Sequence, residues 1–179
     1  MKLPWLTPSE ALNRPLFRQQ MDEAAYKALL QAESTRRLGF HVGNIGLLIA
    51  QHETSELTEV LSICPIPNTA QWLLGIINLR GNLVPVFDLN LLLGLARETD
   101  RKSKPMLLIL GQGETAGAIM IDDLPIHITL TTADKLESLP PLPDALQPYA
   151  TVGYEKNGEV WFNFDHFGFF ESLANRIAT

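Results

Sequence analysis

A single cysteine, Cys64, in a chain of 179 residues excludes an intramolecular disulfide and a cage of thiolates around a metal. Its setting, Ser62-Ile63-Cys64-Pro65-Ile66, reads as that of an inert, buried thiol in a reducing compartment. The histidines His41, His52, His127 and His166 are dispersed, with no two at ligand spacing on one helix face, so no metal or cofactor is expected. Basic residues form no stripe. Fourteen Lys and Arg against 20 Asp and Glu leave a net charge of −6 and a pI near 5.2, which argues against a general nucleic-acid binder. The densest basic run, Arg97 to Lys104, holds two acids and no aromatic residue, and reads as a solvated linker. Unbroken apolar runs are missing as well. The stretch from Trp72 to Leu95 is interrupted by Arg80, Gly81, Pro85 and Asp88, and the N-terminus by Pro4, Thr7, Pro8, Ser9 and Glu10. Neither reads as a membrane span or a secretory signal, and a cytoplasmic location is expected.

Catalytic signatures are equally scarce. No Gly-x-Ser-x-Gly elbow occurs. Gly111-Gln112-Gly113-Glu114-Thr115-Ala116 formally fits a dinucleotide fingerprint, but the next residues, Gly117 to Ile121, are a short β run where that motif needs a helix. A hairpin turn is the better reading. Asp122 and Asp123, adjacent on an extended chain, would point to opposite faces, which suits a turn more than a cation site. The chain is therefore expected not to be an enzyme.

What is present begins with helical periodicity. Thr7-Pro8-Ser9-Glu10 is a capping box with proline at the first helical position, and Phe17, Met21, Ala24, Ala25, Ala28 and Ala32 recur at helical spacing. From Leu38 the period changes. Candidate strands are Leu38 to Val42, Ile45 to Ala50, Leu57 to Ile63, Ile76 to Leu79 and Leu83 to Phe87, then Met106 to Leu110, Ala118 to Ile121, Ile126 to Leu130, Ala150 to Tyr154 and Val160 to Phe164. Short, regularly spaced strands without crossover helices point to barrels or a sandwich. Val86-Phe87-Asp88-Leu89 and Asn163-Phe164-Asp165-His166 echo each other, each running from a strand through a capping aspartate into a helix. The last helix should run from Asp165 to Ile177. Leu139 to Pro148 reads as a stiff extended connection, and its Pro140 and Pro143 formally match a Pro-x-x-Pro ligand.

The densest information lies in Trp72 to Leu89. Arg80-Gly81-Asn82 reads as a turn between apolar strands, Asp88 as a helix cap and Gly94 as that helix's end. An always-charged planar fork on a rigid hairpin suits recognition of a carboxylate or a carbonyl. From Gly75 to Leu89, Gly-x-x-Asn-Leu-Arg-Gly-x-x-x-Pro-Val-x-Asp-Leu resembles the signature of CheW-like coupling domains. Phe40-His41-Val42-Gly43 and Gly117 to Asp122 resemble other family segments in the right order.

This resemblance implies an all-β fold with added helices: two SH3-like, five-stranded β-barrel lobes, at about 38–96 and 105–164, a C-terminal helix at about 165–177, and a helical N-terminal extension, 1–37, before the 38–179 domain. It implies a non-catalytic adaptor that joins the cytoplasmic tip of methyl-accepting chemoreceptors to the regulatory domain of a CheA-type histidine kinase, without membrane insertion. Carried over by position, Glu56, Arg80, Leu83 and Gly117 would lie in or near the receptor groove, with Thr54 beside it where many relatives have an aliphatic residue. The N-terminal extension resembles the PilI branch, which serves type IV pili and twitching motility. A CheW adaptor for flagellar chemotaxis, or a small β-barrel module binding a peptide or oligonucleotide outside signalling, are the alternatives.

Overall fold

Two segments are apolar at every step, Ile45–Ala50 and Met106–Leu110, and the computed structural model of the protein shows each as a strand covered on both faces. Leu47 and Ile49 face a core shared by the whole fold, whereas Leu48 faces a separate cluster with Ile128, Leu130 and Trp161. Likewise Leu108 and Leu110 join the shared core, while Leu107 and Ile109 join Ile77, Val84 and Ala118. Strand alternation thus feeds three apolar interiors. Each buried Leu or Ile contributes roughly 1.5–3 kcal/mol.

The structure describes residues 34–50, 53, 55–60, 62–96 and 104–177. In chain order the strands are β1 (Thr35–Val42), β2 (Ile45–Ala50), β3 (Ser55–Glu59), β4 (Leu73–Leu79) and β5 (Asn82–Phe87), followed by helix α1 (Leu89–Leu93). Then come β6 (Met106–Leu110), β7 (Gly117–Ile121), β8 (Ile126–Leu130), β9 (Val152–Lys156), β10 (Glu159–Asn163) and helix α2 (His166–Ile177). They form two five-stranded sheets, ordered β8-β1-β2-β10-β9 and β3-β6-β7-β5-β4. Helix α2 packs into the shared core through Phe169, Phe170 and Leu173.

The expected class, all-β with two five-stranded units and a C-terminal helix, is the observed one, but the sheets are not the two halves of the sequence. β1 and β2 belong to the first sheet and β3, β4 and β5 to the second; β6 and β7 belong to the second sheet and β8, β9 and β10 to the first. The lobes expected at 38–96 and 105–164 are therefore two copies of one strand plan, each shared between both sheets. Every pairing has its counterpart: β1·β8 matches β6·β3, and the parallel pair β2·β10 matches the parallel pair β7·β5. Periodicity marks strands but not their partners, so the exchange left no trace in the apolar pattern.

Smaller corrections concern edges. β1 starts at Thr35, so Thr35, Arg36 and Arg37 belong to the strand domain, held by pairing with Leu130, Thr129 and Ile128. β3 ends at Glu59 because its partner β6 begins at Met106. Cys64 is exposed and not buried: its backbone N–H and C=O bond to Ile76 at 2.8 and 2.9 Å, which turns the side chain outward. The Gly111 to Ala116 segment is the expected turn, linking antiparallel β6 and β7. The Pro-x-x-Pro segment is part of the fold, with Leu146 fully buried and the Gln147 amide donating to the Leu142 carbonyl at 3.0 Å. The helical expectations up to Glu33, and the linker residues 97–103, lie outside the described residues.

Candidate functional site

Hairpin β4–β5 turns through Arg80 and Gly81, whose φ angles are +53° and +91°. Positive φ at both central residues matches the twist of the flanking strands, and such turns favour Asn-Gly. Arginine in the left-handed region is unusual and costs about 1 kcal/mol. The turn is braced by Asn78, whose Oδ1 accepts from the Gly81 N–H at 2.9 Å. From this mount Arg80 Nη2 donates to Glu56 Oε1 at 3.0 Å, with the arginine side chain 78% exposed and the glutamate 34%. An ion pair so open to water contributes about 1 kcal/mol or less. Its effect is positional.

Glu56 lies on β3 and Arg80 follows β4, the two outermost strands of their sheet. The pair therefore links the opposite edges of the sheet, and the Cys64–Ile76 bridge ties the segment between β3 and β4 onto β4. The edges of the other sheet are linked in the same way. Lys135 bridges Tyr154, and Lys156 Nζ meets Asp134 Oδ2 at 3.0 Å with exposures of 31% and 17%. Asp134 also accepts from the backbone N–H and the hydroxyl of Thr131, at 2.7 and 2.8 Å. The backbone N–H of Thr131, then the Lys156 ammonium, hold its carboxyl below the usual range.

Two grooves meet beside the Arg80 hairpin, and Ala116 lines both. One, of about 310 Å³, is bordered by Glu56, Arg80, Asn82 and Gln112. The other, of about 320 Å³, is more apolar: Pro85, Phe87, Phe167, Phe170 and Ala174 line it, with Glu114 and Glu171 at its rim. Phe167 is half exposed. Leu83, 65% exposed, alternates along β5 onto the same face as Pro85 and Phe87.

Of the residues expected to bind partners, Glu56 and Arg80 touch, and Leu83 lies exposed on the adjoining strand. Gly117 is buried: a Cβ there would stand 2.6 Å from the Phe170 ring. Thr54 lies outside the described residues. Asn78 and Phe170 were not among the expected residues. Asn78 stands inside the Gly75–Leu89 motif, two positions before the arginine, whereas Phe170 carries only the helical spacing of a core residue.

A family model described as CheW-like domain matches residues 36–174. The chain belongs to the CheW-like family. Chemotaxis protein CheW of Helicobacter pylori is 28% identical over 142 residues, covering 79% of this chain and 83% of that protein. Protein PilI of Pseudomonas aeruginosa is 30% identical over 118 residues, covering 65% of this chain and 65% of PilI, so the match spans just under two thirds of that relative. The crystal structure of the scaffolding protein TtCheW from Thermoanaerobacter tengcongensis aligns with a TM-score of 0.60 over 73% of this chain and 84% of that one, at 21% identity. That likeness confirms the CheW-like fold. Among the described residues no helix is long and apolar enough to cross a membrane.

Proposed function

We propose that this member of the CheW-like family is a non-catalytic adaptor that holds the cytoplasmic tip of a chemoreceptor beside a CheA-type histidine kinase. The observation that carries this reading is Arg80: a charged fork kept in a costly backbone conformation, largely in water, on the border of paired grooves. A residue chosen for folding would be asparagine there, as in the matching turn of the other half. The apolar groove between β5 and α2 accepts the hydrophobic stripe of a receptor helix, with Leu83 extending the contact and Glu114 and Glu171 facing basic residues on its flanks. Arg80 and Glu56 supply one donor fork and one acceptor for polar groups at the helix's end. The regulatory domain of the kinase would meet a face of the protein away from these grooves. Each contact need only be micromolar, about −8 kcal/mol, because an array raises effective concentration.

The test is reconstitution of kinase, receptor-bearing membranes and this protein, reading kinase autophosphorylation with and without attractant. The protein should recruit the kinase and place it under receptor control; folded protein that changes neither refutes the adaptor reading. Within that reading, the likeness to PilI favours a system acting on type IV pili. Deletion should then abolish twitching and spare swimming, and the reverse phenotype assigns the chain to flagellar chemotaxis.

A further inference from the structure

Gly117 and Phe170 form a contact whose consequence reaches the groove floor. A Cβ built on Gly117 would lie 2.6, 2.7 and 2.9 Å from three carbons of the Phe170 ring, closer than any real contact. The φ of Gly117 is ordinary, so the glycine is required by its neighbour and not by its backbone conformation. Phe170 stacks on Phe87, with centroids 5.4 Å apart at 27°, meets His166 edge-on at 6.1 Å and lies tilted at 52° to Phe169 at 6.4 Å. Strand β7, Phe87 and the two helix neighbours thus pack against the ring. The ring also borders the 320 Å³ groove, which Phe170 lines together with Phe167 and Ala174.

We infer that Phe170 is a specificity-determining residue of this groove and that Gly117 is its positioning residue: the missing Cβ lets the ring lie flat against β7 and sets the depth available to a docking helix. This inference rests on the receptor-groove reading above and adds the residue that gauges the fit. A side chain at position 117 would act at a distance, by pushing the ring into the groove. Because the colliding atoms are outer ring carbons of a side chain that borders the groove, the ring can give way before the backbone, so recognition should suffer more than folding. Depth set this way would discriminate among receptor helices by the size of the side chain they insert.

The experiment measures binding of the full chain to the recombinant cytoplasmic fragment of a methyl-accepting chemoreceptor from the same organism, with thermal midpoints for every variant. Gly117→Ala should weaken binding about tenfold with the midpoint nearly retained, and Phe170→Leu added to Gly117→Ala should restore most of the affinity, a coupling that independent damage would not produce. In parallel, the methyl NMR signal of Ala174, which lines the groove, should shift in Gly117→Ala and move back in the double variant. Additive losses in the double variant, or an Ala174 signal that stays in place, overturn the inference while leaving the groove reading intact. Wild-type protein that is folded and does not bind the fragment refutes that reading instead, and the Ala174 signal still decides whether Gly117 positions Phe170.

Discussion

At the matching turns of the two halves, Arg80-Gly81 and Asn157-Gly158, the backbone is the same and the side chain is not. Their φ angles are +53° and +91° in one, +55° and +81° in the other. Both glycines stand seven residues before a capping aspartate, Asp88 and Asp165, and both turns end a hairpin whose second strand runs parallel to a strand from the other half. Asn157 is the residue such a turn prefers. Arg80 is the departure. The ion pairs that close the sheets differ in the same sense: Lys156–Asp134 is shielded and tied to Thr131, whereas Arg80–Glu56 stands in water. One half spends its closure on stability, the other keeps a charged group available. A duplicated plan thus carries a shielded ion pair at one end and an exposed one at the other.

That comparison can be broken at several points. The largest effect is expected at Trp161, fully buried in the scaffold sheet and seated against Gly39 and Gly46. Trp161→Ala should cost about 3–5 kcal/mol in denaturant unfolding; a loss below 1 kcal/mol would mean that this interior does not support the fold. Asp134→Ala removes a capping box and an ion pair, and should cost about 1–2 kcal/mol. Its pH signature is specific. The folded-state pKa of Asp134 lies below the usual 3.8, so in the window between them the unfolded chain binds more protons. Its contribution is complete above that window and is lost as the pH falls through the lowered value. Stability measured against pH should therefore fall less steeply on the acid side in Asp134→Asn than in the wild type, and parallel curves would contradict the assignment.

Smaller in energy but sharper in meaning is Arg80→Asn, which makes the two turns alike. Relief of the left-handed arginine and loss of an exposed ion pair nearly offset, leaving stability unchanged or raised by up to about 1 kcal/mol. Receptor control of the kinase should be lost all the same. A clear drop in melting temperature with coupling intact would make Arg80 a structural residue. The smallest effect is expected at Asn78. Asn78→Ala should cost about 0.5 kcal/mol and weaken receptor binding by loosening the turn, while Asn78→Asp keeps the acceptor for the Gly81 N–H and should retain most of the affinity.

Much of this molecule was legible in one dimension. Strands at Ile45–Ala50, Met106–Leu110 and Ile126–Leu130 stand where the apolar pattern puts them, and Asp88 and Gly94 cap α1 as their chemistry requires, with the Leu91 N–H on Asp88 Oδ1 at 3.2 Å and Gly94 at φ +64°. The turn at Arg80 was legible because glycine and asparagine beside an arginine leave few other conformations. Gly117 shows the limit. A glycine opening an apolar strand does not announce what touches it, and its partner Phe170 lies 53 residues away on a helix whose spacing speaks only of burial. Cys64 misled for a similar reason, since apolar neighbours in sequence say nothing of which way a bridged backbone turns the side chain.

The sequence by itself determined the local elements, because side-chain alternation, caps and turn residues act over a few positions and carry their physics with them. It determined as well that the chain is acidic and that an arginine stands at the turn of an otherwise apolar hairpin. Only the tertiary structure decided that each half feeds both sheets, that Arg80 reaches Glu56 across 24 residues, and that Phe170 floors a groove against Gly117. Those outcomes depend on which faces find each other in the shared core, a choice made by packing and loop closure between distant segments and written in no local pattern.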